Sequence, residues 1–330
     1  MSLKHQWAFR PRFRKHALGW RSETPIKRIK EAVSEIKKVS RKDPILAADG
    51  AVILLEKLSP ALEHVDGSSG ALGNTVAKAI DELAPLIAQA PAGRDQREKW
   101  LQRLWQAIQE DDKPHIEYLQ EYWGRLCATS ERASASADAL LGQVRGNWSK
   151  SGSRRHFKEI IPCLSSLYVA GRYEELLKLL EQAPFPFWPY RVWGARALEA
   201  LGKPEQAVSY AEATRKGYSV PFGLEQECEA ILLRNGMQEK AYARYAFAAN
   251  QKGTYQATFK AMARKYPHQD PGKILSHDRK GELKTDCWPG RSRSGPCAQA
   301  KTRVDGPSNG TGPTVRGVGQ SVEDGVRLGR

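Results

Sequence analysis

Apolar residues fall at helical spacing along most of the chain. Ile26, Ile29, Val33, Ile36 and Val39 recur every three or four positions and form one stripe, while Lys27, Lys30, Lys37 and Lys38 stay off it. The pattern predicts a helix over 25–39, capped by Thr24 with Pro25 in its first turn. Asp43-Pro44 reads as the start of a second helix carrying Ile45, Leu46, Val52, Leu55 and Leu58. Ser59-Pro60, with Glu63 in the next turn, repeats that start signal. A Gly/Ser loop at 66–70 leads into a helix over 72–90, where Val76, Ile80, Leu83, Leu86 and Ile87 share a face and Pro85 is placed to kink it. Trp100, Leu101, Leu104, Trp105 and Ile108 mark a further helix; Ile116, Leu119, Tyr122, Trp123 and Leu126 mark the next, and 130–144 another. No segment alternates apolar and polar residues for long, so an all-α protein is expected. Residues 145–155, rich in Gly, Ser and basic residues, read as a linker.

Beyond that linker the pattern repeats. Gly171, Gly202 and Gly236 each sit between two apolar helical segments, 31 and 34 residues apart. That spacing suits a helix–turn–helix unit of about 34 residues, and the segments resemble the tetratricopeptide (TPR) pattern. The first unit runs Leu167-Tyr168-Val169-Ala170-Gly171-Arg172-Tyr173-Glu174-Glu175-Leu176, the second centres on Leu201-Gly202 and the third on Gly236. A small residue follows two of the glycines by five positions (Ala207, Ala241), where paired helices must approach closely. Leu176 departs from this in the first unit, and Pro162 falls where the first helix should already be running. Tyr255, Phe259, Met262 and Tyr266 predict one more helix. The expected fold class is therefore an all-α helical repeat, a TPR-like α-α superhelix. Its expected divisions are a basic, aromatic arm at 1–24, a helical region at 25–150, repeats at 151–267 and a Gly/Pro-rich, disordered tail at 268–330.

Two stretches extend the likeness. One is Phe9-Arg10-Pro11-Arg12-Phe13-Arg14-Lys15-His16-Ala17-Leu18-Gly19-Trp20-Arg21-Ser22, followed by Pro25-Ile26-Lys27-Arg28-Ile29-Lys30-Glu31-Ala32-Val33. The other is Arg41-Lys42-Asp43-Pro44-Ile45-Leu46-Ala47-Ala48 with Ser59-Pro60-Ala61-Leu62-Glu63-His64-Val65-Asp66. Together they resemble a family of helical bacterial proteins to which no activity is assigned. The resemblance spans 7 to 274 and implies further helices where this chain turns Gly-rich; a reading-frame change near Lys273 would give such a tail. It informs fold and source, not mechanism.

Charge shifts attention to the N-terminus. The net charge is +15, yet residues 1–42 hold 13 Lys/Arg against Glu23, Glu31 and Glu35, and residues 268–330 hold 11 against 7 acidic residues. Subtracting those +10 and +4 leaves +1 for 43–267. A polyanion partner would therefore engage the arm, through Arg10, Arg12, Arg14, Lys15 and Arg21 on phosphates and through Trp7, Phe9, Phe13 and Trp20 stacked on bases. The same interleaving suits rings packed on the body with their guanidinium groups in water. The absence of acidic residues before Glu23 also admits a transit peptide.

Other chemistry is sparse. The five cysteines form no Cys-x-x-Cys pair, which fits a reducing compartment. His268, His277, Cys287 and Cys297 are of zinc-ligating type but lack a close ligand pair. The loop from Gly67 to Thr75 lacks the lysine of a phosphate loop. No apolar run approaches the ~18 residues of a membrane helix. The first helix of each repeat pair should line a groove, presenting Lys158, Ser165, Tyr168, Arg196, Glu199, Gln226 and Arg234. That mixed set suits a peptide and lacks the Lys/Asn set that helical clamps use for acidic chain ends. The expectation is a cytoplasmic, non-enzymatic interaction protein without metal or cofactor, binding a protein or peptide in that groove. Nucleic-acid binding through the arm is the alternative, and an enzyme with a site assembled across helices is the third reading.

Overall fold

The computed structural model describes residues 5–270 apart from 16, 150–151, 153–155 and 216–219. All of the expected tail beyond Asp270, with three of the zinc-type residues, His277, Cys287 and Cys297, lies outside the described residues. Among the described residues the protein is all-α, with thirteen helices packed mostly on their sequence neighbours. The first four are α1 (Glu23–Ser40), α2 (Pro44–Leu62), α3 (Ala71–Gln89) and α4 (Arg94–Gln109). A 3-10 turn (Glu117–Tyr122), short α5 (Trp123–Leu126) and α6 (Ser130–Trp148) follow. The remainder are α7 (Ile160–Val169), α8 (Tyr173–Glu181), α9 (Trp188–Ala200), α10 (Pro204–Glu212), α11 (Leu224–Arg234), α12 (Gln238–Asn250) and α13 (Tyr255–Lys265).

The predicted stripes become buried faces. Ile29, Val33 and Ile36 of α1 pack with Leu54, Leu55 and Leu58 of α2 and Ile80 and Leu83 of α3 in the first of three apolar cores. Asp43 caps α2 by accepting the Leu46 N–H (2.9 Å). Arg97 is buried and donates to the carbonyls of Ile87 and Ala90, so a cation satisfies orphan acceptors at the end of α3.

Four expectations are corrected. The helix predicted from Pro25 starts at Glu23, and Thr24 lies within its first turn. Ser59-Pro60 begins no helix: α2 runs through both to Leu62, and only its last turn meets the proline. The Ser59 hydroxyl is instead buried and donates to Asp111 (2.5 Å), whose carboxylate also accepts the Ile116 N–H (2.9 Å). Most of 116–126 is a 3-10 turn rather than one α-helix. Finally, α6 runs on to Trp148, into the expected linker, because Val144 and Trp148 both bury on the second core.

The arm is part of the first core. Trp7, Phe9, Phe13 and Leu18 are at most 5% exposed. The Trp7 ring fills the space that a side chain at Gly50 would take, and Glu35 accepts the N–H groups of Ala8 (2.8 Å) and Phe9 (3.2 Å).

Three helix ends are closed alike. Gly171, Gly202 and Gly236 all have positive φ (74°, 75° and 73°). Each glycine N–H reaches the carbonyl three residues back, and the next residue's N–H reaches the one five back, as in Arg172 to Leu167, Lys203 to Leu198 and Met237 to Leu232. These are Schellman closures, which glycine allows without a Cβ penalty. They join α7 to α8, α9 to α10 and α11 to α12. Ala207 and Ala241 are fully buried, and so is the larger Leu176 at the equivalent place. Pro162 falls in the opening turn of α7, where a missing N–H breaks no helical bond.

Candidate functional site

Besides packing within pairs, α7 meets α9 and α9 meets α11. Their shared side forms a groove of about 580 Å³. The 3-10 turn and α5 close one end with Tyr118, Glu121, Tyr122 and Arg125; α7, α9 and α11 add Ser165, Tyr168, Trp193, Arg196, Glu199, Glu227, Arg234 and Asn235.

Five of the seven residues expected to line a groove do so: Ser165, Tyr168, Arg196, Glu199 and Arg234. Lys158 and Gln226 do not. Lys158 lies before α7 and donates to the carbonyls of Gln109 (2.7 Å) and Asp111 (3.0 Å), tying α7 to the end of α4. Gln226 is exposed next to Glu227, which takes the groove position. Counting back from the closing glycine, Trp193 and Glu227 each stand nine residues before it. That common register could have revealed both. The wall at 118–125 lies outside the segments predicted as repeats, and its neighbours had to come from the fold.

The groove is crossed by ion pairs between successive helix pairs. Arg196 of α9 holds Glu227 of α11 (2.8 and 3.2 Å), and Arg234 of α11 returns to Glu199 of α9 (2.7 and 2.9 Å). Asn235 adds a bond to Glu199 (2.9 Å). Burial works against the Arg196 charge, but the hydrogen bond and charge of Glu227 outweigh it and hold Arg196 above its ordinary range. Burial likewise pushes the Glu227 carboxyl up, and Arg196 with Arg234 more than reverses this, leaving it low. Two-pronged guanidinium–carboxylate pairs fix geometry as well as adding attraction. Arg196 also lies 5.1 Å from the centre of the Trp193 ring, and Tyr168 packs between Trp193 (5.8 Å) and Tyr173 (5.6 Å).

Ser165 lines the groove with its hydroxyl already committed. The hydroxyl donates to the Glu121 carbonyl (2.9 Å) and accepts the Gly124 N–H (3.0 Å). Gly124 permits this close approach, since a Cβ there would collide with the Ser165 backbone. Gly124→Ala is therefore expected to cost about 1–3 kcal/mol, because backbone rather than a flexible side chain must yield. Urea unfolding measures it; an unchanged midpoint would mean that α5 does not sit tightly on α7.

The arm residues are spread over the surface of the first core. Arg12 pairs with Glu31 (2.9 Å) and Lys15 with Glu63 (3.5 Å). Arg10, Arg14 and Arg21 are exposed. Trp7, Phe9 and Phe13 offer no free face for stacking, which leaves Trp20, at 70% exposure, as the accessible ring among the four.

Cys127, Cys163 and Cys228 are buried, which pushes their thiols up to about 11, 12 and 12, away from the reactive thiolate. Among the described residues, no group of three or more His, Cys, Asp or Glu is placed to hold a metal ion, and no helix is long and apolar enough to cross a membrane. In the Gly/Ser loop the Asp66 carboxylate accepts the Ser68 N–H (2.9 Å).

No family model matches the chain, and no curated protein or solved structure matches it significantly. The class that fold and site define is, over the described residues, an all-helical protein of thirteen helices with a polar, ring-lined groove across α7, α9 and α11. The bacterial family suggested by the two N-terminal stretches is not identified by these comparisons.

Proposed function

We propose that α7–α12 form a TPR-type array and that the groove docks a segment of another protein without catalysing a reaction. The observation that carries this reading is the groove itself. It runs continuously over α7, α9 and α11, the helices that precede the three glycine closures, and its walls are aromatic faces and fixed charges. Such walls offer apolar area with directional polar groups, as peptide recognition requires. The lining holds no histidine or cysteine, and its serine hydroxyl is bonded on both sides, so no Ser–His or Cys–His pair is assembled there. A cytoplasmic location follows from the same reading, with buried free thiols suited to a reducing compartment.

The test is photo-crosslinking in cells with a benzophenone amino acid in place of Tyr168, and separately of Arg14. A protein adduct of defined mass from position 168, absent from position 14, is the expected result. Nucleic acid trapped at position 14, with nothing at 168, would favour polyanion binding through Arg10, Arg14 and Arg21 instead.

A further inference from the structure

We infer that the docked segment presents a lysine or arginine side chain to Glu121, seated among Tyr118, Tyr168 and Trp193. This rests on the proposed groove function and adds the chemistry of its partner. The groove contains three glutamates. Glu199 and Glu227 are engaged by Arg234, Asn235 and Arg196. The Glu121 carboxylate accepts no hydrogen bond from the described residues; its backbone carbonyl, not its carboxylate, takes the Ser165 hydroxyl.

Its surroundings raise the cost of that vacancy. Burial pushes the Glu121 carboxyl above its ordinary range, and Glu227 of α11, Asp81 of α3 and Glu117 of its own turn push the same way. Arg196 of α9 opposes them, but its guanidinium is bound to Glu227. Arg125 is exposed, 5.9 Å from the centre of the Tyr122 ring. A half-buried carboxylate without donors is stabilised by an incoming cation. Aromatic faces attract the same charge and pack against the methylene stem of a basic side chain. Beyond Glu121 and Arg125 the lining charges cancel in pairs, so Glu121 sets the sign of what is recognised deep in the groove. An acidic segment would meet unpaired negative charge there.

The experiment uses a phage library of random linear dodecapeptides panned on the full chain, with synthetic copies of enriched peptides titrated against wild type, Glu121→Gln and Tyr168→Ala. Lysine or arginine should be enriched at one fixed position. Affinity should fall about tenfold or more in Glu121→Gln, whose amide keeps the shape but loses the charge-assisted bond. Binding should also weaken on acidification in wild type, because protonation removes the attracting charge, and this dependence should be absent in Glu121→Gln. Peptides that lose affinity in Tyr168→Ala but show no basic preference and bind Glu121→Gln unchanged would overturn this inference while leaving groove docking intact. Failure to enrich any peptide sensitive to Tyr168→Ala would count against both.

Discussion

Phe13→Ala is expected to destabilise the protein by about 3–5 kcal/mol, the range for truncating a fully buried aromatic ring. Phe13 is 1% exposed and meets Phe9 edge-on at 6.3 Å, and Phe9 in turn lies 5.4 Å from Trp7. The three rings form a row whose far end fills the space above Gly50 of α2. Removing the near end of that row leaves a void beside α2 and loosens a segment otherwise held by the Glu35 bonds to Ala8 and Phe9. Thermal and urea unfolding report the loss. An effect below about 1 kcal/mol, the level of a surface change, would show the arm to be an independent, loosely attached element. The result also governs how polyanion binding should be tested: deleting the arm would strip the first core, whereas Arg10, Arg14 and Arg21 changed together to glutamine remove charge alone.

Glu229→Ala should cost roughly 3 kcal/mol, near the lower end for breaking a buried charge pair. Glu229 is fully buried on α11, and its carboxylate gathers Asn250 (2.6 Å), Lys265 (2.5 Å) and Tyr266 (2.8 Å). Truncation leaves Asn250 and Tyr266 without their acceptor inside the third core. Lys265 is 42% exposed and regains water, which keeps the cost from rising further. The loss should be local before it is global, because this carboxylate joins α12 and the end of α13 to α11. Pulsed thiol labelling reads it out: Cys228, buried beside Glu229, should react in the variant well below its main transition. Labelling confined to the main transition would mean that α13 is held by packing of Met262 and Tyr266 instead.

Much of this was legible in the chain because helical periodicity reports burial directly. The Ile29–Val33–Ile36 stripe is buried as expected, and the three glycines close their helices with one geometry. The arm was legible as two alternatives; Trp7, Phe9 and Phe13 are buried on the body, while Trp20 is exposed. Ser59-Pro60 misled because a serine before a proline looks the same whether it caps a new helix or donates across the core to Asp111, 52 residues on. The groove was half legible. Ser165, Tyr168, Arg196 and Glu199 follow from position relative to the glycines, but Tyr118 and Glu121 enter through a 3-10 turn brought there by α7 and by the bond of Tyr122 to Asp81 of α3 (2.6 Å). No local spacing encodes a contact of that range.

The most direct test of the groove as the working surface is hydrogen–deuterium exchange of the full chain with and without a saturating enriched peptide. Added protection is expected in 118–126, in α7 and α9 and along α11, with 5–22 unchanged. Protection concentrated in 5–22, with α7, α9 and α11 unaffected, would contradict it and make the basic face of the arm the binding surface.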